Sequence, residues 1–312
     1  MADSAPSVRI GVDLGGTKTE AIVIDSAGTE LARERVPTTA GDYAGTIRGI
    51  RDLVDALERS LRVQGSVGVG IPGTISPASG VVKNANSTWC QGKPLDRDLS
   101  TALGREVRTA NDANCLALSE ATDGAGAGES LVFAVILGTG VGGGIAVNGQ
   151  VRTGPHAIAG EWGHNPLPWL GADEQSRRCY CGKLGCIETY LCGPGLALSY
   201  RERSGKAGIF AEQVIEQMRA GEPDAVDTWQ QYVDRLARAL TTVINVLDPD
   251  VIVLGGGLSN IDELYTGLPA ALPEYVFSDV CQTRIARAHH GDSSGVRGAA
   301  WLWPEHAPAS SG

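Results

Sequence analysis

The feature that most constrains this chain is a unit that occurs twice: an apolar strand, a glycine turn and a second strand. The first copy runs through Val8-Arg-Ile-Gly-Val-Asp13, Leu14-Gly15-Gly16-Thr17-Lys18 and Ala21-Ile-Val-Ile24. The second runs through Leu131 to Leu137, the turn Gly138-Thr139-Gly140-Val141-Gly142-Gly143-Gly144 and the strand Ile145-Ala-Val147. β-Branched runs on either side of glycine read as strands joined by a tight hairpin. A third turn, Gly255-Gly256-Gly257, follows the strand Val251-Ile-Val-Leu254, and Asn148-Gly149 marks a further hairpin. Glycine makes up 42 of the 312 residues, nearly double the usual ~7%. Backbone that must approach another group closely accounts for such an excess.

Between these units the pattern turns helical. Ile47, Ile50, Val54, Leu57 and Leu61 recur at spacings of three and four, ahead of a strand from Val67 to Ile71. Val107-Arg-Thr109 is short and extended, and a helix begins at Asp112. Val226, Trp229, Val233, Leu236, Leu240 and Val243 mark a long helix that Asp248-Pro249 ends. A chain of 312 residues with this alternation predicts an α/β protein of about two domains. The polar, Pro- and Ser-rich stretch Pro304 to Gly312 reads as disordered.

Charge and cysteines narrow the class. With 26 basic against 36 acidic residues the net charge is -10, which repels nucleic-acid backbones and anionic lipid. The apolar runs fall well short of the ~20 residues that cross a bilayer, and Met1-Ala-Asp-Ser-Ala-Pro-Ser has neither the basic nor the apolar part of a secretory signal. The expectation is a cytoplasmic protein with reduced thiols. Of its cysteines, Cys90, Cys115, Cys192 and Cys281 are scattered and expected in the core, whereas Cys179, Cys181 and Cys186 are clustered. Three thiolates in one short loop, with His164 upstream, fill the four positions of a closed, structural Zn²⁺ site.

Gly138, Gly140 and Gly143 match G-x-G-x-x-G in form, but a dinucleotide fingerprint must open a helix, and here a strand follows. No P-loop motif is present. Two glycine hairpins from duplicated halves can instead face each other across a cleft and offer backbone N–H groups to phosphate oxygens. In that arrangement, which resembles the actin-like ATPases, Asp13 sits near metal-bound phosphates and Thr17 and Lys18 contact phosphate. Asp112, beside Asn111 at a strand-to-helix junction, reads either as an accessible general base or as a helix cap. Glu161 and Glu188 bracket the cysteine loop and read as acceptors for a polyol, or as surface charges.

Five stretches together resemble the ROK family (repressors, open reading frames, kinases): Asp13-Leu-Gly-Gly-Thr-Lys18, Asn111-Asp112-Ala-Asn114, Leu137-Gly-Thr-Gly140, Gly160-Glu-Trp-Gly-His164 and Cys179-Tyr-Cys-Gly-Lys-Leu-Gly-Cys-Ile-Glu188. Within the family, Gly163-His-Asn-Pro-Leu-Pro-Trp169, the run from Asn245 to Gly257 and the run from His290 to Trp303 resemble bacterial fructokinases of the manno(fructo)kinase type. The stretch Pro166 to Arg178 is longer than the corresponding loop of many glucokinases in the family. No helix-turn-helix precedes Val8, which disfavours the repressor branch.

The resemblance implies the actin-like (ribonuclease H-like) fold, with one α/β domain over 1–117 plus 297–312 and a larger one over 118–296, and a cleft between them. It implies ATP-dependent phosphorylation of a hexose, with fructose becoming fructose 6-phosphate, Mg²⁺ on the phosphates and Asp112 as the base. Asn111, Glu161, His164 and Glu188 would bind sugar hydroxyls, with Thr74 and Asn86 lining the same pocket. Gly15, Gly16, Thr17, Lys18, Gly138, Thr139, Gly140, Gly142 and Gly255 to Gly257 would serve ATP, and a homodimer is expected. The alternatives are a kinase for glucose, mannose or N-acetylglucosamine, and a sugar-sensing regulator without turnover.

Overall fold

The structure is a computed structural model that describes residues 8–85, 87–171, 174, 176–291 and 294–303. From its start the chain forms β1 (Arg9–Leu14), β2 (Lys18–Ile24), β3 (Glu30–Pro37), α1 (Tyr43–Leu61), β4 (Ser66–Ile71), the small hairpin β5 (Thr74–Ile75) and β6 (Val82–Lys83), α2 (Leu95–Leu103), β7 (Val107–Asn111) and α3 (Asp112–Asp123). It continues through β8 (Leu131–Leu137), β9 (Val141–Val147), β10 (Gln150–Val151), α4 (Glu188–Leu191), α5 (Gly193–Ser204), α6 (Ala211–Arg219), α7 (Pro223–Leu247), β11 (Val251–Gly255), α8 (Leu264–Ala271), β12 (Arg284–Arg287) and α9 (Ser294–Trp301). None of the described helices is long and apolar enough to cross a membrane.

The repeated unit becomes two sheets of one design. Their orders are β3-β2-β1-β4-β7 and β10-β9-β8-β11-β12. In each, a central strand pairs antiparallel with the strand after its glycine turn and parallel with the strand on its other side. Parallel pairing then extends outward, β4 to β7 and β11 to β12. This is the duplicated α/β architecture of the actin-like fold. Ile10, Val12, Leu53, Leu57 and Leu99 build one core around the first sheet, and Phe133, Val135, Tyr232, Leu236 and Leu240 build a larger one under α7.

The helix α7 shows how local signals set the frame. Pro223 occupies its first turn, where a missing N–H costs nothing, and the Glu222 side chain accepts from the Ala225 N–H. It ends at Asp248, which takes the left-handed conformation ahead of Pro249. On its buried face Arg235 and Arg238 are both paired with Glu174, from the stretch that precedes the cysteine loop. All three side chains are 5–7% exposed.

Two helices lie between the sheets. α9 packs on β1 and β4, α3 packs on β8 and β9, and the two helices pack on each other. The approach is backbone to backbone. A Cβ added to Gly11 would stand 2.0 Å from the Val296 carbonyl, and one added to Gly298 would stand 1.7 Å from the Cys115 carbonyl. Beyond α9, Trp303 donates from Nε1 to the Val67 carbonyl and accepts at its own carbonyl from Arg9 Nε.

Two local expectations need correction. The second glycine turn is confined to Gly138-Thr139-Gly140, because Gly142, Gly143 and Gly144 belong to β9. The cap of α3 is Asn111, whose Oδ1 accepts from the Ala113 and Asn114 N–H groups, so Asp112 is the first helical residue rather than the cap. Cys90, Cys115 and Cys192 are buried as expected, whereas Cys281 is half-buried beside a surface groove. The stretch Pro304 to Gly312 lies outside the described residues.

Candidate active site

The first turn is held from both sides. Gly15 N–H donates to the Lys18 carbonyl at 3.0 Å, and the Thr38 hydroxyl donates to the Gly15 carbonyl at 2.8 Å. Gly16 has nothing within 4 Å of where a Cβ would stand, so its backbone faces open space. In the second turn Gly138 N–H donates to the Gly140 carbonyl, and Gly193 N–H donates to the Gly138 carbonyl. The third turn meets the second: Gly256 has φ +82, and a Cβ there would stand 2.5 Å from the Leu137 carbonyl. Positive φ and that approach both require glycine.

Two cavities run along these turns. One of about 520 Å³ is walled by Asp13, Gly15, Gly16 and Thr17, by Asp112, and by Gly256. Gly291, Ser294 and Gly295 at the start of α9 complete it. The other, about 760 Å³, begins at Gly138, Thr139 and Gly257 and extends between α5 and α6 past Ala197, Arg201, Ile209 and Ile215. Its size and mainly apolar walls suit an organic ligand. Lys18, Gly140, Gly142 and Gly255 line neither cavity. The α5–α6 wall and the residues Gly291, Ser294 and Gly295 were not singled out as ligand-facing from sequence. The second carries a signal, a glycine-serine run ahead of a helix, whereas the first is built from residues scattered over two helices.

Asp112 sits where β7 ends and α3 begins. Burial raises its pKa, against the pull of the Ala113 N–H and the Asn111 side chain, which hydrogen-bond its carboxylate. Asp13, at the end of β1, is pushed up to about 6, first by burial and then by the charges of Asp112 and Glu20, with Lys18 and Arg35 acting the other way. Two carboxylates open to one cavity, Asp13 half-buried and Asp112 exposed, form an acid-rich corner that suits a divalent cation bound through oxygen.

Glu161 begins the short turn that leads to His164. Burial raises its pKa, and its electrostatic neighbours are His164, Asp112, Glu188 and Lys83. Trp162 fixes this turn by donating from Nε1 to the Gly142 carbonyl at 3.0 Å and by meeting Phe133 edge-on. Glu188 opens α4, and its Oε2 accepts from the Val141 N–H at 3.0 Å. The structure therefore brings Asp112, Glu161, His164 and Glu188 together. Thr74 stands in β5, which packs against β7, while Lys83 on the partner strand donates to the His156 carbonyl at 2.8 Å. Asn86 lies outside the described residues.

The cysteine loop folds back on itself. Cys179 N–H donates to the Lys183 carbonyl, and Gly182 and Gly185 take positive φ. The ligand atoms of His164, Cys179, Cys181 and Cys186 all lie within 4.8 Å of one another. Cys179 Sγ is 3.6 Å from His164 Nδ1, and the sulfurs of Cys181 and Cys186 are 3.6 Å apart. A zinc tetrahedron with bonds of about 2.0–2.3 Å has edges of roughly 3.5–3.8 Å, so this donor set fits the ion. Ile187 N–H donates to the Asn165 carbonyl, which ties the two ends of the loop together between Glu161 and Glu188. His164 Nε2 is not free: it is 3.0 Å from the Tyr180 hydroxyl.

Comparison with known proteins agrees with this geometry. The family model described as the ROK family matches residues 9–306. The chain is 43% identical over 302 residues to an N-acetyl-D-glucosamine kinase of Pasteurella multocida, covering 95% of this chain and 99% of that protein. Among solved structures, a ROK hexokinase from Thermus thermophilus has a TM-score of 0.83 at 31% identity, over 94% of this chain and 96% of that one. A ROK family glucokinase from Streptomyces griseus, in complex with glucose and AMPPNP, has a TM-score of 0.78 at 28% identity, over 95% and 99%.

Proposed function

We propose a substrate class and a mechanism from one premise: this chain belongs to the ROK family, and it is a sugar kinase. The reading is transfer of the γ-phosphoryl group of ATP to the primary hydroxyl of a hexose. The observation that carries it is Asp112, a carboxylate that lines the cavity of the first glycine turn and stands within electrostatic reach of Glu161. The solved Streptomyces griseus relative, with glucose and AMPPNP bound, supports the same pair of ligands here.

In this mechanism the nucleotide base lies between α5 and α6, and its phosphates run past Gly138 and Thr139 toward Gly15, Gly16 and Thr17. Glu161, Glu188 and Asn111 orient the hexose by accepting or donating hydrogen bonds to its hydroxyls. Asp112 accepts the proton of the primary hydroxyl as that oxygen bonds to the γ-phosphorus. The bond from phosphorus to the bridging oxygen breaks, and its electron pair leaves on ADP. Asp13 would hold Mg²⁺, which when bound neutralises charge on the phosphates. His164, Cys179, Cys181 and Cys186 would hold Zn²⁺, which when bound keeps the segments carrying Glu161 and Glu188 in place.

N-Acetyl-D-glucosamine is the first sugar assigned, because a relative with near-complete coverage in both directions bears that activity in its name. D-Fructose, the sugar expected from sequence, is the second reading. It is favoured by the fructokinase-like stretches 163–169 and 290–303 rather than by the relatives. The test is ADP release with MgATP across a panel of hexoses. The highest kcat/KM on N-acetylglucosamine supports the first reading and on fructose the second. No stimulation by any hexose overturns the kinase assignment in favour of a sugar-sensing regulator.

A further inference from the structure

The cavity at the first glycine turn has acids, Asp13 and Asp112, as its ionisable walls. A phosphoryl group in transfer spreads negative charge over its oxygens, and ionised carboxylates only accept hydrogen bonds. Donors must come from the rest of the wall, where several are already spent. Gly15 N–H donates to the Lys18 carbonyl at 3.0 Å, Trp89 Nε1 donates to the Thr46 hydroxyl at 3.1 Å, and the Ser294 hydroxyl donates to Glu120 Oε1 at 2.8 Å.

Ser87, on the same wall, is unspent. It is 2% exposed, and among the described residues its hydroxyl has no hydrogen-bond partner. A hydroxyl in that state is satisfied only from within the cavity. Ser87 precedes the short turn Thr88–Cys90, a place where a serine side chain ordinarily caps. Here its carbonyl accepts from the Cys90 N–H at 3.0 Å, and the side chain caps nothing. Trp89 pins the turn to α1 through Thr46, and Cys90 anchors it in the first core. The side of the site is also set. Asn111, Glu161, His164 and Glu188 do not line this cavity, and Asp112 alone is shared with the sugar residues, so Ser87 stands on the phosphate side of Asp112.

We propose that Ser87 is a further catalytic residue, whose hydroxyl donates a hydrogen bond to an oxygen of the phosphoryl group as it is transferred. This rests on the sugar-kinase reading above and deepens it. The Ser87 proton stays on Ser87. The bond that forms joins the primary hydroxyl oxygen of the hexose to phosphorus, the bond that breaks joins phosphorus to the bridging oxygen of ADP, and Asp112 takes the proton that moves. A donor fixed in place before the reaction needs no reorganisation during it. Because only the transferred group reaches it, the contact acts on kcat and not on hexose binding.

Ser87→Ala tests it, since only the hydroxyl is lost and the Trp89 and Cys90 anchors remain. The probes are the hexose with the highest kcat/KM in the panel, its 6-phosphate and MgADP. The expected result is a fall in kcat of about 10- to 100-fold, the scale of one hydrogen bond to a charged group. Calorimetric Kd values for the hexose and for MgADP should not change, whereas the Kd for the hexose 6-phosphate should rise. An unchanged kcat would overturn the inference, because the hydroxyl would then be idle. A raised hexose Kd with kcat preserved would also overturn it, in favour of a contact with the sugar, as would a parallel loss of every affinity with a lowered Tm, in favour of a structural role. Wild-type protein that turns over no hexose would overturn the kinase reading and this inference together, whereas wild-type turnover beside an unaffected variant would overturn this inference alone.

Discussion

Glu188 accepts the backbone N–H of Val141 at 3.0 Å, and the same carboxylate oxygen stands 2.7 Å from where a Cβ on Gly140 would be. An acid carried by the cysteine loop thus rests on the second glycine turn. The sugar side and the phosphate side of the site share one contact, and a change at one should be felt at the other.

Gly140→Ala is the direct test of that contact. Gly140 lines neither cavity, yet the added methyl must displace the Glu188 carboxylate. Sugar KM is expected to rise tenfold or more, the loss of about one charge-assisted hydrogen bond. Steady-state kinetics with sugar and ATP varied separately will check it, and a rise confined to ATP KM would sink the coupling.

Asp112→Asn should lower kcat by at least ~100-fold, the usual scale for a general base. Sugar and nucleotide binding should persist, since Asn111 and not Asp112 caps the helix. Calorimetry separates lost chemistry from lost binding, and near-normal turnover would refute the assignment.

The acid limb of kcat/KM should fall at higher pH than an ordinary carboxylate would give. Burial raises the pKa of Asp112, whereas Asp13, lifted to about 6 without metal, would be kept ionised by the Mg²⁺ it holds. A protonated carboxyl accepts no proton, so the active fraction grows as pH rises and is lost as pH falls through the raised pKa of Asp112. A profile recorded with saturating Mg²⁺ and ATP that stays flat down to pH 4.5 would contradict this.

Glu174 holds Arg235 and Arg238, and their hydrogen bonds with that of the Gly171 N–H outweigh burial and bring its pKa down to about 2. Glu174→Gln should destabilise the fold by about 3–5 kcal/mol, because the buried Arg235 guanidinium loses its counter-charge and Arg238 is left with Asp234 alone. The sign with pH follows: the stabilisation is complete above the ordinary carboxylate range and is lost as pH falls toward 2. Chemical denaturation at pH 7 measures the first effect, and an unchanged midpoint would rule it out.

Metal analysis of native protein should find about one zinc per chain. Chelation should lower thermal stability and sugar affinity together, because the loop joins the segments carrying Glu161 and Glu188. Unchanged sugar affinity after complete removal would separate the loop from the sugar site.

The duplicated sheets were legible because strand period and glycine turns are local signals. Long-range contacts were not. Gly142 to Gly144 read as turn residues, yet they are strand glycines, two of them required by distant backbone: a Cβ on Gly143 would stand 2.7 Å from the Gly160 carbonyl and one on Gly144 2.3 Å from the Ala113 carbonyl. Asn111 and Asp112 are both good caps, and only the register of β7 into α3 decides between them. The acids and the His-Cys cluster stood out in the sequence because their residue types are rare in such spacing, and the structure gathers the cluster within 4.8 Å. The sugar was least legible, because hydroxyl specificity lies in the relative placement of side chains that the motifs leave constant.

The position of α9 has a consequence for how the polypeptide is made. Arg9 meets Trp303 across 294 residues of sequence, and β1 and β4 wait for a helix that is synthesised after every described strand of both sheets. Until then the first sheet emerges with one apolar face bare, and the glycines that admit α9 leave a slot nothing else fills. Until α9 arrives, the apolar face that it covers on β1 and β4 is expected to be open to aggregation. Removing the last helix would leave that stage permanent rather than merely shorten the protein.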